Sequence, residues 1–508
     1  MPCRRRILYF CLLCSYLYTN AQQMLFSRDF AAVRSHVPIQ IIDQNPESFC
    51  VLRYNKKIHD FTVERRNRLT FEITQFASLS LDSVNANWFD YENLNYLFFE
   101  YNHRLYFVFE KILNKKKTLY YKCIDSSGKA SGFITLATIE NEDNAGDMAF
   151  VFQRSGPNKL LIIGENYYAN TTAKKVVMLY NFDKNKQDYI IKLPLENQST
   201  GFSSNYVSHN ERLYYTMSNN YLGGYRKKYT VNKEMMLPYQ YTKFLSLNLF
   251  NLNSKEMAKT QICLSDPVEI KSANLMLIEQ QIMLDICYVK NDNNQKSICF
   301  LRQGANLELS EQKYCRIKSL DSMLAKQLYF YDGSDQAEVT EKFYRAYKHL
   351  ETKKYSCFLN ERCDENSFDE ILLWRANNKD GNIEMQKIMP RKMFYFGERS
   401  RYKHLQEVGC LVKDDCLYAL MLEHKYNIKA SPENYQYKEI KRQKHLASAN
   451  LMLYELNKDG LFNKRLIYKN GIYNAVPIKF DGNNSAYIIY LNKKGRERFA
   501  ILPLQNQP

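Results

Sequence analysis

The chain contains 508 residues, of which 45% are hydrophobic, and it has a formal net charge of +17. Length alone favours two domains and a large core, although repeat-built β folds of this size also form single units. The positive charge favours anionic partners, but the basic residues are dispersed and cluster only at residues 115–117, 226–228 and 438–444. Such short clusters indicate solvated loops, which argues against a nucleic-acid-binding surface.

The N-terminus has the pattern of a secretory signal. Three arginines precede an apolar run at residues 7–18, and the small residue Ala21 follows shortly after it. A charged segment, a short apolar segment and a small residue in this order are typical of a cleaved signal peptide. We therefore predict that residues 1–21 are a signal peptide and that the mature protein begins at Gln22. Removal of the three arginines lowers the net charge from +17 to +14 (17 − 3).

The signal also bears on whether the exported protein is anchored in a membrane. A lipid anchor on Cys14 is the alternative to cleavage after Ala21, but the bulky Leu13 stands where lipoprotein signals usually carry a small residue. Beyond the signal, the sequence has no apolar stretch of about 18 residues, so we expect no transmembrane span. The expected location is therefore secreted, periplasmic or in the outer cell envelope, where nucleic acid is an unexpected partner.

Short aromatic strands recur along the chain. They hold many of the 40 tyrosines and 29 phenylalanines and are bounded by Asn, Asp, Lys and Gly, a pattern typical of β-strands. One unit consists of an apolar strand, a polar turn and a second, alternating strand, and its copies begin at Thr118, Val176, Phe244, Ser297, Glu370 and Ala449. Another aromatic strand precedes each copy, and a final hairpin occupies residues 486–504.

This repeat predicts an all-β fold, namely a β-propeller of about six to seven blades with loop and helix insertions. The last blade is expected to be closed by N- and C-terminal strands. Residues 22–85 are predicted to be an entry or cap segment, and residues 86–508 the propeller. A split β-solenoid or two packed sheets is the alternative. Among the insertions, residues 336–353 have the apolar spacing of an amphipathic helix, and residues 427–444 are predicted to be a mobile loop.

Three segments carry a family resemblance: LYNFDKNKQDYIIKLPL at residues 179–195, DDCLYALMLEHKYN at 414–427 and LMLYELNKDGLFNKRLIYKN at 451–470. With the arginine-containing GERSRY at residues 397–402, they resemble uncharacterised exported β-repeat, propeller-like proteins of the Bacteroidetes. The resemblance covers roughly residues 100–505 and depends on strand and turn signatures. It implies a propeller-like architecture and export to the envelope, and it carries no catalytic residues over to this chain.

Cysteine usage suggests one disulfide. Three of the 13 cysteines lie in the signal, which leaves an even number, 10 (13 − 3), in the mature chain. An even count outside the cytosol permits disulfides. Cys287 and Cys299 are the predicted pair, because the polar run at residues 291–294 lies midway and would place them opposite each other across a hairpin. Buried free thiols are the alternative.

No catalytic, cofactor-binding or metal-binding residue is predicted. The eight histidines are scattered, and the nearest approach to a site is the adjacent pair Glu423 and His424. Acidic turns at residues 183–188 and 378–381 have oxygen ligands at alternating positions, as in calcium loops, but their interleaved lysines favour ordinary hairpin tips. Strand tyrosines are expected to pack in the core and on sheet faces, for example Tyr106, Tyr214, Tyr215 and Tyr329.

Repeats without a catalytic signature favour a non-enzymatic binding or scaffold protein of the cell envelope, which presents insertion loops to a protein or an anionic glycan. The alternative is a propeller hydrolase or lyase that acts on an extracellular polymer. Such an enzyme would need carboxylates or histidines from several blades to converge at the channel mouth, and sequence does not reveal that convergence.

Overall fold

The structure is a computed structural model. It describes residues 24–32, 36–55, 57–58, 60–80, 95–113, 116–140, 148–166, 175–193, 206–230, 233–262, 264, 268–292, 295–329, 343–363, 367–389, 393–394, 409–427, 449–476, 478–482 and 486–504. The chain divides into two compact units. Unit 1 comprises Met1–Glu92, Glu398–Ile428 and Gln443–Pro508, and unit 2 comprises Asn93–Gly397 and Lys429–Arg442.

Unit 1 contains three sheets. Sheet 1 consists of the early strands β3 (His36–Asp43), β4 (Ser48–Asn55), β5 (Asp60–Asn67) and β6 (Ile73–Ser78) and the late strand β33 (Lys479–Gly482). The strand order is β33-β3-β4-β5-β6, and β33 is parallel to β3. Sheet 7 consists of β28 (Gly409–Lys413), β29 (Cys416–His424), β30 (Ala449–Leu456) and β31 (Phe462–Lys469). Sheet 8 consists of β1 (Leu25–Phe26), β2 (Phe30–Ala31), β32 (Asn474–Val476), β34 (Ala486–Lys493) and β35 (Arg496–Pro503).

Unit 2 contains five antiparallel sheets that follow one another along the chain. Sheet 2 consists of β7 (Tyr96–Tyr101), β8 (Arg104–Leu113), β9 (Lys116–Ile124) and β10 (Ile134–Glu140). Sheet 3 consists of β11 (Met148–Arg154), β12 (Lys159–Asn166), β13 (Lys175–Asn181) and β14 (Lys186–Leu193). Sheet 4 consists of β15 (Tyr206–His209), β16 (Arg212–Thr230), β17 (Lys233–Asn251) and β18 (Met257–Gln261).

The remaining two sheets of unit 2 pack against each other and are central to the site described below. Sheet 5 consists of β19 (Glu269–Ile278), β20 (Gln281–Asp292), β21 (Gln295–Asn306) and β22 (Gln312–Ser319). Sheet 6 consists of β23 (Phe343–Glu351), β24 (Tyr355–Cys363), β25 (Ser367–Asn377), β26 (Ile383–Met389) and β27 (Met393–Phe394). Helix α1 (Ser322–Tyr329) follows sheet 5, and a short 3-10 turn (Lys425–Asn427) follows β29. Within the described ranges, no helix is long and apolar enough to cross a membrane.

Two turn types recur and explain why the chain folds back where it does. The first two strands of sheets 2, 4, 5 and 7 are joined by two residues that both have positive φ, as in the Asn102 and His103 turn. That conformation matches the twist of the flanking strands. The turn after the third strand begins with an asparagine whose Oδ1 accepts backbone N–H groups two to five residues later; the turns are led by Asn67, Asn181, Asn251, Asn306, Asn377 and Asn457.

The predicted fold class is confirmed at the level of an all-β, blade-built chain. The described strands form eight sheets of four or five strands, which is the pattern of an eight-bladed β-propeller, so the predicted six to seven blades are corrected to eight. The additional blade is sheet 1. Residues 36–78, which lie within the predicted entry or cap segment, form four of its strands. The predicted closure by terminal strands is present in sheet 8, where β1 and β2 pair with β35.

The predicted helix at residues 336–353 is wrong over residues 343–353, the part of this segment that the structure describes. Phe343–Glu351 is strand β23, which pairs with β24 along its length and has a bulge between Ala346 and Lys348. The neighbouring strand therefore overrides the helical spacing of the apolar residues. The aromatic strand predicted to begin at Gln327 is also wrong at its start, because residues 322–329 form helix α1. The predicted mobile loop at residues 427–444 lies outside the described residues except for Asn427.

Candidate functional site

Unit 2 contains a buried carboxylate between sheets 5 and 6. Asp285 on β20 lies directly opposite Arg302 on β21, and both side chains are completely buried. Alternation along β20 places Asp285 on the same face as Met283 and Cys287, which belong to the core between sheets 5 and 6. The Arg302 Nε atom is 3.5 Å from Asp285 Oδ1. The two charges attract each other, but this contact does not meet hydrogen-bond geometry.

Arg302 directs its hydrogen bonds to sheet 6. Its Nη2 donates to Ser356 Oγ at 2.9 Å and to Asn378 Oδ1 at 3.3 Å. Ser356 Oγ in turn donates to Asn378 Oδ1 at 2.6 Å, and Asn378 Nδ2 donates to the Thr352 carbonyl at 3.1 Å. The guanidinium group thus links the two sheets through neutral acceptors, which leaves Asp285 with an incomplete set of partners.

Burial shifts the pKa values of two groups here in opposite directions. Desolvation raises the pKa of Asp285 to about 7, against the attraction of Arg302, which lowers it. His349 on β23 packs on the Phe358 ring with the ring centroids 4.5 Å apart. Burial first, and the Arg302 charge second, lower the pKa of His349 to about 3. The cluster therefore contains a neutral histidine and an acid that titrates near neutrality. With its side chain fully buried, Asp285 offers no contact to a substrate.

Unit 1 has a buried ionic network between sheets 1 and 8. Arg53 contacts Glu64 at 2.8 Å and Glu497 at 2.6 Å, and Arg66 contacts Glu64 at 2.7 Å. Burial lowers the pKa of Arg53, but the two carboxylates outweigh it and the net shift is upward. Each cation in this network faces an anion. Such pairing is typical of a structural contact between sheets rather than of a reactive site.

Glu423 and His424, the nearest approach to a site in the sequence, have separate surroundings in the structure. Adjacent residues on β29 point to opposite faces of the sheet. The Glu423 carboxylate is buried, accepts hydrogen bonds from Lys464 Nζ at 2.6 Å and also contacts the Tyr454 hydroxyl. His424 is half-buried and accepts the Tyr426 backbone N–H at Nδ1. Glu423 thus acts as a buried ion-pair partner within sheet 7.

Cys287 and Cys299 are free, buried thiols, so the predicted disulfide is not formed. The register is offset by one residue: Cys287 lies opposite Phe300, and Cys299 lies opposite Tyr288. Their side chains consequently lie on opposite faces of sheet 5 and in different core clusters. Cys315 is disulfide-bonded. Sequence symmetry about the turn located the hairpin correctly but missed this offset.

The other residues discussed in the sequence analysis take ordinary structural positions. Residues 183–185 and 378–382 lie in the turns between β13 and β14 and between β25 and β26, as expected of hairpin tips. In the part of the chain that the structure describes, no three His, Cys, Asp or Glu residues form a group that could hold a metal ion. Tyr106, Tyr214 and Tyr215 are buried, as predicted, whereas the side chain of Tyr329 lies outside the described residues.

Sheet 4 has a feature that the sequence analysis missed. Strands β16 and β17 are each 19 residues long, whereas their neighbours β15 and β18 have four and five residues. The outer strands pair only near the base of this hairpin, at residues 206–215 and 246–261. Among the described residues, those at 220–230 and 233–241 pair only with each other. We call residues 220–230 of β16 and 233–241 of β17 the hairpin arm.

The composition of the hairpin arm differs from that of the rest of its sheet. It contains five tyrosines, one arginine, three lysines and a single acidic residue, which gives a net charge of +3 (4 − 1). Its basic cluster at residues 226–228 was interpreted as a solvated loop. The structure places that cluster in strand β16 instead. The sequence contains this signal, because tyrosines recur both at residues 221–229 and at residues 239–241.

The sequence matches no protein-family model and no curated protein. Similar solved structures include dipeptidyl peptidase 4 from Porphyromonas gingivalis, with 10% sequence identity and a TM-score of 0.41. The alignment covers 91% of this chain and 56% of the peptidase, so this chain spans little more than half of the peptidase's length. Another is Sqt1 from Chaetomium thermophilum (7% identity, TM-score 0.38), which is covered over 100% of its length and 95% of this chain. A third is the β-propeller domain of the Trilobed protease from Pyrococcus furiosus (8% identity, TM-score 0.36), covered over 100% of its length and 86% of this chain. At these TM-scores the similarities carry no conclusion about activity.

Proposed function

We propose that the protein is a non-enzymatic, exported binding protein of the cell envelope that contacts an anionic glycan through the hairpin arm. The observation that carries the proposal is the backbone pairing of the arm. Its two strands extend beyond the rest of sheet 4, and their described residues pair only with each other. An isolated two-stranded hairpin is only marginally stable in water, so it gains stability from a bound partner.

The chemistry of the arm favours an anionic, hydroxyl-rich partner. Its net charge of +3 adds to the positive charge of the whole chain and attracts polyanions at long range. Tyrosine combines a flat apolar ring with a hydroxyl group, which suits contact with sugars. The predicted signal at residues 1–21 would place this surface where envelope glycans occur. Together these features support a carbohydrate polymer with carboxylate or sulfate groups.

The enzymatic alternative receives less support from the described residues. Two groups with strongly shifted pKa values, Asp285 and His349, belong to the contact between sheets 5 and 6, where Asp285 is completely buried and His349 is half-buried. A hydrolase or lyase needs its acid and base within hydrogen-bonding reach of the substrate. Two other buried carboxylates, Glu423 and Glu497, are held in ion pairs with Lys464 and Arg53.

The proposal is tested by shortening the arm. A variant that joins Asn219 to Thr242 through an Asn-Gly turn removes residues 220–241 and keeps the paired base of the hairpin. A matched variant replaces Arg226, Lys227 and Lys228 with glutamine and keeps the arm length. Both variants should elute from immobilised heparin and alginate at lower salt than the parent protein. Neither the parent nor the variants should bind uncharged dextran. Unchanged elution of both variants would contradict the proposal.

A protein partner is distinguished in the same experiment. The parent and the arm-shortened variant are each incubated with envelope extract that has been treated to remove polysaccharide. Arm-dependent recovery of one protein, without arm-dependent binding to heparin or alginate, would replace the glycan with a protein partner. Circular dichroism of each variant verifies that the remaining strands are folded.

A further inference from the structure

We propose that sheets 5 and 6 are joined by a proton-binding contact, in which Asp285 takes up a proton as the two sheets pack. The contribution of Asp285 to this joint would then be largest in mild acid and would fall towards neutral pH. This inference is independent of the proposed glycan binding. It concerns a property of the fold that none of the expected functions requires.

The geometry around Asp285 carries the inference. Neither Oδ1 nor Oδ2 has a hydrogen-bond partner among the described residues. Arg302 is the nearest cation, but its Nε is 3.5 Å away and its Nη2 binds Ser356 and Asn378 on sheet 6. A buried carboxylate without hydrogen bonds is costly in its charged form, and protonation removes most of that cost.

The surroundings of Asp285 are largely apolar. Phe300 stacks on Trp374 at 5.0 Å between ring centroids and contacts Phe358 at 5.1 Å, and all three are buried in the core between these sheets. Among the described residues, the ionisable groups that face this joint, apart from Arg302, include Cys287 on β20, Tyr314, Arg316 and Lys318 on β22, His349 and Glu351 on β23, and Asp380 in the β25–β26 turn.

These groups do not replace the missing partners of Asp285. Arg316 donates to Asn382 Oδ1 and Lys318 donates to the carbonyl of Ile383, so both cations are occupied on sheet 6. Ionised Glu351 disfavours ionised Asp285. Desolvation also raises the pKa of Glu351 to about 7, so its contribution to stability changes with pH in the same direction as that of Asp285. His349 is neutral over most of the pH range. The net effect of the surroundings is to favour the protonated acid.

The sign of the pH dependence follows from proton linkage. The pKa of Asp285 rises from 3.8 to about 7 on folding, so between these values the folded state holds a proton that the unfolded state releases. Stability from this group is therefore full below the lower value and is lost as pH rises to the upper one. His349 acts with the opposite sign, because its pKa falls from 6.5 to about 3 and the unfolded state binds the extra proton.

Trp374 provides a local reporter for the experiment. The chain has two tryptophans, and a Trp88→Phe background leaves Trp374 as the single one. Its fluorescence follows urea unfolding of the joint, which is measured from about pH 4 to about pH 8 in that background and in Asp285→Asn. Asparagine matches the neutral acid in shape and charge. The two proteins should therefore have similar midpoints at about pH 4, and the variant should have the higher midpoint at about pH 8.

Two further variants complete the design. Glu311→Gln removes an exposed carboxylate from sheet 5 and should shift the midpoint equally at every pH. His349→Gln should change the pH dependence in the direction opposite to Asp285→Asn. A midpoint difference between Asp285→Asn and its parent that is constant with pH would overturn the proposal. Failure of Asp285→Asn to fold would overturn it as well, because the neutral form is the one that the joint is inferred to hold.

Discussion

Ser27 and Phe499 are joined by two reciprocal hydrogen bonds. The Ser27 backbone N–H donates to the Phe499 carbonyl at 2.8 Å, and the Phe499 N–H donates to Ser27 Oγ at 2.9 Å. Ser27 lies between β1 and β2, and its hydroxyl oxygen accepts the Phe499 N–H in the place of a backbone carbonyl. Asp29 adds contacts to Arg496 and Arg498 on the same strand. The edge of β35 is therefore covered by the N-terminal segment, which protects it from edge-to-edge association.

Deleting residues 486–508 should abolish folding of unit 1. This deletion removes β34 and β35, to which β1, β2 and β32 all pair. It also removes Tyr487, Phe499 and Leu502 from the largest described core cluster of that unit. The truncated chain should be insoluble or lose cooperative thermal unfolding, as measured by circular dichroism. Deletion of residues 505–508 alone is the control. A long truncation that melts cooperatively near the full-length temperature would refute the closing role of this hairpin.

Glu497→Gln should be strongly destabilising. It removes the carboxylate that Arg53 contacts at 2.6 Å and leaves a buried positive charge incompletely compensated between sheets 1 and 8. Breaking one side of a buried ion pair typically costs about 3–5 kcal/mol. The comparison is Glu72→Gln, because the exposed pair of Glu72 with Arg28 should contribute at most about 1 kcal/mol. Similar losses for both variants in chemical unfolding would show that the buried network is not special.

Much of the fold could be predicted from sequence because the turn chemistry is local. The polar turns that separate the repeated strands are the asparagine-led turns of the structure, for example those at Asn377 and Asn457. Alternation of apolar residues identified most strands of sheets 2 to 7. Sheet 1 was missed as a blade because β5 carries Glu64, Arg65 and Arg66, whose charges obscure the alternation. Glu64 and Arg66 are buried in a network with Glu497, over 400 residues later, which is not a local signal.

The candidate site could not be predicted for a related reason. Asp285 and Arg302 were visible as single charges within apolar strands. Whether these two charges lie next to each other depends on the register of β20 with β21. Whether they are buried depends on which face of sheet 5 packs against sheet 6. The same register determines the fate of the cysteines. Turn position alone does not distinguish opposite residues from residues offset by one, and an offset of one changes the face of the sheet.

Cys287 and Cys299 should behave as free thiols. After unfolding in denaturant without reductant, both should react with iodoacetamide, and peptide mass spectrometry should find both carbamidomethylated. In the folded protein Cys287 should stay unmodified, because burial raises the pKa of its thiol to about 12 and excludes the reagent. Cys416, which is half-buried, is the internal comparison. A linked peptide containing both residues before reduction would contradict the register described for sheet 5.

Export should produce a mature chain that begins at Gln22. The prediction depends on the arginines, the apolar run and Ala21 at the N-terminus. N-terminal peptide mass spectrometry on protein recovered outside the cytoplasm measures it directly. An Ala21→Leu variant is the matched change, since a bulky residue before the cleavage point should leave the precursor uncut. An intact Met1 terminus on exported protein would contradict cleavage, and a lipid-modified Cys14 would support the anchored alternative.

Gly381→Ala should cost more than the same change at another glycine with positive φ. Gly381 has a φ of 72° in the β25–β26 turn, and an added Cβ would overlap the ring of Tyr314 from sheet 5. Gly156 in unit 2 has a φ of 92° and open space around it, so Gly156→Ala measures the backbone cost alone. The steric contact should add about 1–3 kcal/mol to that cost in urea unfolding.

In a double-mutant cycle, Tyr314→Leu should recover most of the stability lost through the steric contact in Gly381→Ala, because the ring no longer fills that space. Additive effects of Gly381→Ala and Tyr314→Leu would show that the turn and the ring are not in contact, and the packing of sheet 5 on sheet 6 described here would then be wrong at this point.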